Sequence, residues 1–360
     1  MGLIRAYFLG PPRTRGEHVQ ALDGLRGLAV LIVIASHLSI AGWLPQPGLV
    51  GTGKSGVYLF FVLSAYLLSH AMLGRSRADL ARAGYWVNYA LRRVLRIWPL
   101  YLVILLASWV LTRQGVAAWH YQLDSAALWR HLTLREGQSV LWSIPVEFTF
   151  YLWLPGICIA LVWLRDRPGG RWWGLGLLLV LGLWAGWRWP AVEAPTNGIQ
   201  LGYYLVVFLS GVGAAWLERE WPGMRGRARA WRVLGWGVVA ALVLATPGLW
   251  AALGATFDPE MNHRWFTAFG LGWALLLLSV LWGRGALSRF FSCAPMRLIG
   301  VVSFSAYLWH MPVLQAAEAM GLRASDGWGL PVLLVAMLAA AMASFLLFER
   351  PWRDVRVRRP

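Results

Sequence analysis

The feature that most constrains this 360-residue chain is the recurrence of apolar stretches long enough to cross a bilayer. A window of about 19 residues on a transfer scale picks them out. They fall at roughly 22–42, 55–74, 93–112, 140–164, 173–190, 198–217, 232–252, 264–283, 297–318 and 329–349. The fifth is short and rich in tryptophan. Only 14% of residues are charged and 58% are hydrophobic. A soluble domain carries about 25% charged residues, so a large soluble core is excluded. The expected fold class is an all-α membrane protein, a polytopic bundle of about ten transmembrane helices. One membrane domain, 21–350, lies between an N-terminal tail, 1–20, and a basic tail, 351–360. Residues 1–20 are polar and the first apolar run is of full spanning length, so no cleavable signal is expected. Cys158 and Cys293 suggest no disulfide framework.

Ten crossings put both ends on one side. That side holds 26 of the 33 basic residues, among them Arg5, Arg13, Arg15, the group from Arg75 to Arg96, and the C-terminal arginines. Lys54, Arg113, Arg130, Arg135, Arg188, Arg264 and Arg323 fall on the other. The positive-inside bias therefore predicts cytoplasmic termini. A net charge of +17 would hint at nucleic acid in a soluble protein. Here it is an orientation signal; membrane lipids are expected as partners and nucleic acid is not. Tryptophans at segment ends, such as Trp43, Trp98, Trp187 and Trp265, fit interfacial belts.

Ionisable residues inside such segments are costly and mark functional sites. Arg26 and His37 lie eleven residues apart in the first segment. At about 100° and 1.5 Å per residue they share one face, about 16 Å apart along the axis, and Asp23 falls near the same stripe. Ser143, Glu147 and Tyr151 recur every four residues in the fourth segment. Ser303, Tyr307 and His310 form a stripe in the ninth. With the predicted orientation, His37, Glu147 and His310 reach similar depth; each alone is also compatible with a hydrogen bond that holds helices together. Arg93 and Arg96, one turn apart at the start of the third segment, suit either an anchor at the inner surface or a clamp on phosphate oxygens. Gly51-Thr-Gly-Lys-Ser55 lacks the full phosphate-loop pattern. The histidines are too scattered for a metal motif, so no metal is expected. His18 and His263 read as surface residues, and His70 as a cation near a helix end.

Taken in order, these residues resemble the integral-membrane acyltransferase type 3 family, bacterial O-acyltransferases acting on surface sugars. Leu22-Asp-Gly-Leu-Arg-Gly27 with Arg26 and His37, Gly56-Val-Tyr-Leu-Phe-Phe-Val-Leu-Ser64, Arg93-x-x-Arg96, Leu141-Trp-Ser-Ile-Pro-Val-Glu147 with Phe150-Tyr151, Ser303 to His310, and Glu349-Arg-Pro351 match its motifs. Tyr58, Ala65 and Phe148 depart from them: many members have Asp at the first position, Gly at the second and an acid at the third.

The resemblance implies a multi-pass protein of the bacterial cytoplasmic (inner) membrane. Its implied donor is acyl-CoA, most often acetyl-CoA, as a co-substrate with no permanently bound cofactor; the acceptor is a hydroxyl of a carbohydrate or glycoconjugate. Arg26, Arg93 and Arg96 are then expected to bind coenzyme A phosphates. His37 would serve as general base or acyl carrier, and Glu147 would orient His37 or stabilise its charged form. Ser143, Tyr151, Tyr307 and His310 would line the substrate path. The rival is a polytopic transporter using Arg26, His37 and Glu147 as an ion or proton relay. Acceptor identity, acyl chain length and oligomeric state are not written in these residues.

Overall fold

The computed structural model describes residues 5–9, 17–352 and 355. Among these, every regular element is helical. The longer ones are α1 (Glu17–Ile40), α2 (Gly53–Leu73), α3 (Ala83–Arg113), α4 (Ser143–Arg165), α5 (Gly170–Arg188), α6 (Leu201–Glu220), α7 (Ala228–Leu244), α8 (Phe266–Gly283), α9 (Ala294–Val301), α10 (Ser303–Ala319) and α11 (Gly329–Ser344). Much of the two tails (residues 1–4, 10–16, 353–354 and 356–360) and the His18 side chain lie outside the described residues.

All ten apolar segments coincide with helices, yet not all of them look like simple spans. Seven helices among the described residues are long and apolar enough to cross a membrane, or eight if α9 and α10 count as one broken span. α7 falls short by length, since 17 residues rise roughly 26 Å against about 30 Å of hydrocarbon. α5 has 19 residues but is bounded by Arg171 and Arg188, which leaves a shorter apolar stretch between them. The ninth segment is not one helix: α9 and α10 meet at 73° around Val302. The third helix starts at Ala83, so Arg93 and Arg96 sit well inside it and not at its start.

α2 forms the centre of the bundle, packed against α1, α6, α8 and α4. Its apolar window is 78% buried, against 28% for the window that contains α11. α1 is held in turn by α2, α9, α10 and the short helix Ala286–Ser292. Small residues make these approaches close, as they do between membrane helices generally. Gly27 faces the Met296 carbonyl, and a Cβ on Gly300 would overlap the carbonyl oxygen of Asp23. Gly24 lies against the Phe291 carbonyl, so both glycines of Asp23-Gly-Leu-Arg-Gly27 serve packing while Arg26 lines a cavity. Phe8 stacks on Phe345 with ring centroids 5.6 Å apart, and Arg350 lies 4.8 Å above the Tyr7 ring, so the two ends of the described chain meet.

Candidate active site

Two cavities open along α1, one near Arg26 and one near His37. The first holds about 70 Å³ and lies toward the end of the bundle where the termini meet. Its wall takes Arg26 from α1, Ser64 from α2, Arg93 and Arg96 from α3, Glu147 and Tyr151 from α4, and Ser303 at the start of α10. The i, i+3 spacing on α3 aims Arg93 and Arg96 together into the cavity, while Arg92 is exposed. Ser64 and Tyr151 each donate to Glu147 Oε1 at 2.5 Å, and Tyr89 donates to the Tyr151 carbonyl at 2.9 Å. The Arg93 guanidinium sits 5.7 Å from the Tyr151 ring centroid, and its buried Nε has no hydrogen-bond partner. Behind Arg96 stands Glu349, 3.8 Å from its Nη1 and accepting from Ser305 at 2.5 Å. Three guanidinium groups face one carboxylate in the lining, and an unpartnered Nε–H remains. Such a cradle fits a polyanion with phosphate oxygens.

The second cavity, about 230 Å³, is built from His37 and Ser36 of α1, Lys54 of α2, Ser139 and Val140 ahead of α4, and the connecting residues Thr196, Asn197 and Glu260. Val57 and Tyr307 line both cavities. Tyr307 is fixed there by donating to the Val140 carbonyl at 2.6 Å and by a 3.0 Å contact with Ser143 Oγ.

His37 and His310 form a pair. His310 Nε2 lies 3.1 Å from His37 Nδ1, with ring centroids 5.0 Å apart. His310 Nδ1 lies 2.7 Å from the Tyr307 carbonyl oxygen, which can only accept. That nitrogen therefore carries the proton, and neutral His310 presents a lone pair at Nε2. His37 Nδ1 must then donate, which leaves His37 Nε2 as the basic nitrogen. One imidazole thus orients the other, as a second group orients the base in nucleophile–base systems.

Sequence reasoning placed Glu147 beside His37. Glu147 belongs instead to the arginine cavity, and His310 is the group that meets His37. Equal depth along two helices fixes no azimuth, and the Ser143–Glu147–Tyr151 face turns toward Ser64 of α2. His310 lines neither of these two cavities and stands buried behind His37. His263 is also buried, not at the surface, with Nε2 2.7 Å from the Ala194 carbonyl and Nδ1 3.4 Å from the Tyr58 hydroxyl. His70 pairs at 3.2 Å with Glu218, which also receives Tyr66 and Arg225. Lys54, dismissed with its failed phosphate-loop pattern, lines the second cavity and pairs with Glu260 at 3.5 Å. Ser64 carried a signal as the end of the second-helix motif, but no role was read from it. Asn197 and Ser139 carried none, because both come from connecting segments.

Residues 19–350 match the model of the acyltransferase type 3 family, described as an acyltransferase domain. The chain is 24% identical over 360 residues to the peptidoglycan O-acetyltransferase OatA of Listeria monocytogenes, an alignment covering 94% of this chain and 56% of that protein. It is 25% identical over 374 residues to a protein named as a membrane-bound transacylase, BcsY, of Komagataeibacter xylinus, covering 94% and 84%. Similarity to the O-acetyltransferase OatA of Staphylococcus aureus is 23% over 330 residues, covering 83% and 51%. The chain thus spans about half the length of the two OatA proteins. No solved structure matches.

Proposed function

Because the chain belongs to the acyltransferase type 3 family, we propose that it moves an acyl group, most readily acetyl, from cytoplasmic acyl-CoA to a hydroxyl of a carbohydrate or glycoconjugate. The observation that carries this is the pair of cavities sharing Val57 and Tyr307, arginines in one and His37 in the other. Arg26, Arg93 and Arg96 hold the coenzyme A phosphates, and the pantetheine arm extends along α1 toward His37. From Arg26 to His37 is about 16 Å of helix axis, a distance suited to an extended chain and not to a compact ligand. Glu147 keeps Tyr151 and Ser64 in place around the arginines, so its part is on the donor side.

At the second cavity His37 Nε2 takes the proton of the acceptor hydroxyl as that oxygen attacks the acyl carbon. General-base assistance of this kind contributes typically about 10²–10⁴-fold. His310 holds His37 in the productive tautomer. Lys54, Glu260, Thr196 and Asn197 supply donors and acceptors suited to sugar hydroxyls. The excess of arginines at the end where the termini meet supports a cytoplasmic donor side in the bacterial inner membrane. The names of the OatA relatives support a surface glycan as acceptor.

The test is acetyl-ester content of surface glycans by mass, with and without the protein, joined to coenzyme A release by the purified chain in lipid nanodiscs. His37→Ala abolishes ester formation and sustained coenzyme A release while the chain still inserts and folds. Normal acylation by folded His37→Ala would refute the assignment. Accumulation of a substrate in sealed vesicles without covalent change would favour a transporter.

A further inference from the structure

Next to His37, the second cavity contains a hydroxyl with its own histidine. His120 Nε2 lies 2.9 Å from Ser139 Oγ, and His120 Nδ1 lies 3.1 Å from Gln315 Oε1. Gln315 Nε2 donates to the Ala117 carbonyl at 2.9 Å, which turns its oxygen toward the imidazole. His120 Nδ1 therefore carries the proton, and Nε2 is the lone pair that accepts from the Ser139 hydroxyl. Burial pushes the His120 pKa below its ordinary value, although Gln315 pulls it up, so the ring is neutral at physiological pH. The loop holding it is pinned: adjacent Tyr121 is fully buried and donates to the Leu308 carbonyl at 2.9 Å.

Ser139 itself has φ +50°, a left-handed conformation that is uncommon outside glycine and that clusters at functional sites. It opens onto the cavity that His37 lines. Hydroxyl, imidazole and orienting amide stand in the order of a hydrolase triad with an amide as third member. A serine that merely clipped the loop would need neither an oriented imidazole nor an opening to the cavity.

We propose that Ser139 is a nucleophile that carries the acyl group between donor and acceptor, with His120 as its base and Gln315 as the group that orients His120. This rests on the acyltransferase function proposed above. Ser139 Oγ forms a bond to the thioester carbonyl carbon as its proton moves to His120 Nε2. The C–S bond breaks, and His120 returns the proton to the departing sulfur, giving coenzyme A thiol and an acyl-serine. In the second half the acceptor hydroxyl attacks that ester and its proton passes to His37 Nε2. The C–Oγ bond breaks and the proton is delivered to Ser139 Oγ, which leaves both histidines neutral.

The experiment incubates the full chain in nanodiscs with radiolabelled acetyl-CoA and no acceptor, followed by acid quench, digestion and mass spectrometry. An acetyl ester is expected on Ser139, and more of it accumulates in His37→Asn. Ser139→Ala removes the label and lowers acetyl transfer to surface glycan about 10²-fold or more; Ser139→Cys recovers the label as a hydroxylamine-labile thioester. His120→Gln slows labelling about 10²–10⁴-fold. Coenzyme A release by wild type with no label on Ser139, or wild-type transfer by Ser139→Ala, overturns this proposal and leaves the acyltransferase function standing. No coenzyme A release at all overturns both, because Ser139 then has no donor.

Discussion

Replacing His310 by leucine isolates what the histidine pair contributes. The imidazole is buried, and its Nε2 is the acceptor 3.1 Å from His37 Nδ1. Leucine keeps the space filled but removes one hydrogen bond of the His37 ring and leaves it the Val33 carbonyl, a loss of about 0.5–1.5 kcal/mol. That cost falls on the tautomer and rotamer that expose Nε2 as a base. At about 1.36 kcal/mol per factor of ten, it becomes roughly a 2- to 13-fold fall in kcat. The KM for acetyl-CoA should hold steady, since the arginines line the other cavity. His310→Gln offers an oxygen that accepts from Nδ1 and should recover a large part of the rate. The assay is initial-rate coenzyme A release over a range of acetyl-CoA concentrations, with thermal melting in detergent as the folding control. His310→Leu retaining wild-type kcat, or His310→Gln recovering nothing over leucine, would refute the orienting role.

Other outcomes follow from the same geometry. Arg93→Ala with Arg96→Ala should raise the KM for acetyl-CoA about a hundredfold or more, read in the same assay, because two charge-assisted contacts at about 1.5–3 kcal/mol each are lost. Glu349→Gln should raise KM more modestly, since it loosens Arg96 without removing it. Gly300→Ala should destabilise the fold by about 1–3 kcal/mol, seen as a lower melting temperature, because its Cβ meets the Asp23 carbonyl and either α9 or α1 must shift.

What could be read from the sequence was whatever depends on one helix at a time. Each apolar stretch falls on helical chain, though the ninth holds two helices, and i, i+4 spacing put Ser143, Glu147 and Tyr151 on one face; that face does line a cavity. Arg26, Arg93 and Arg96 converge as expected, since all three sit toward the same end of the bundle. Relations that depend on how helices turn about their own axes were hidden. Glu147 was paired with His37 on depth alone, and packing instead rotated it toward Ser64. The break at Val302 was equally invisible, because neither a proline nor a charged residue marks that position. The Ser139–His120–Gln315 chain joins two loop positions and a helix more than a hundred residues away, and no periodicity reports such a meeting.

Val57 and Tyr307 border both chambers. In the acyl transfer proposed above, those two side chains would form part of the electrical insulation between compartments. An opening there wide enough for a hydrated ion would short-circuit the gradients from which the cell draws its power. Bulk at these two sites is therefore a demand of bioenergetics as much as of chemistry, and any enlargement of the donor channel is bounded by the leak it would cause.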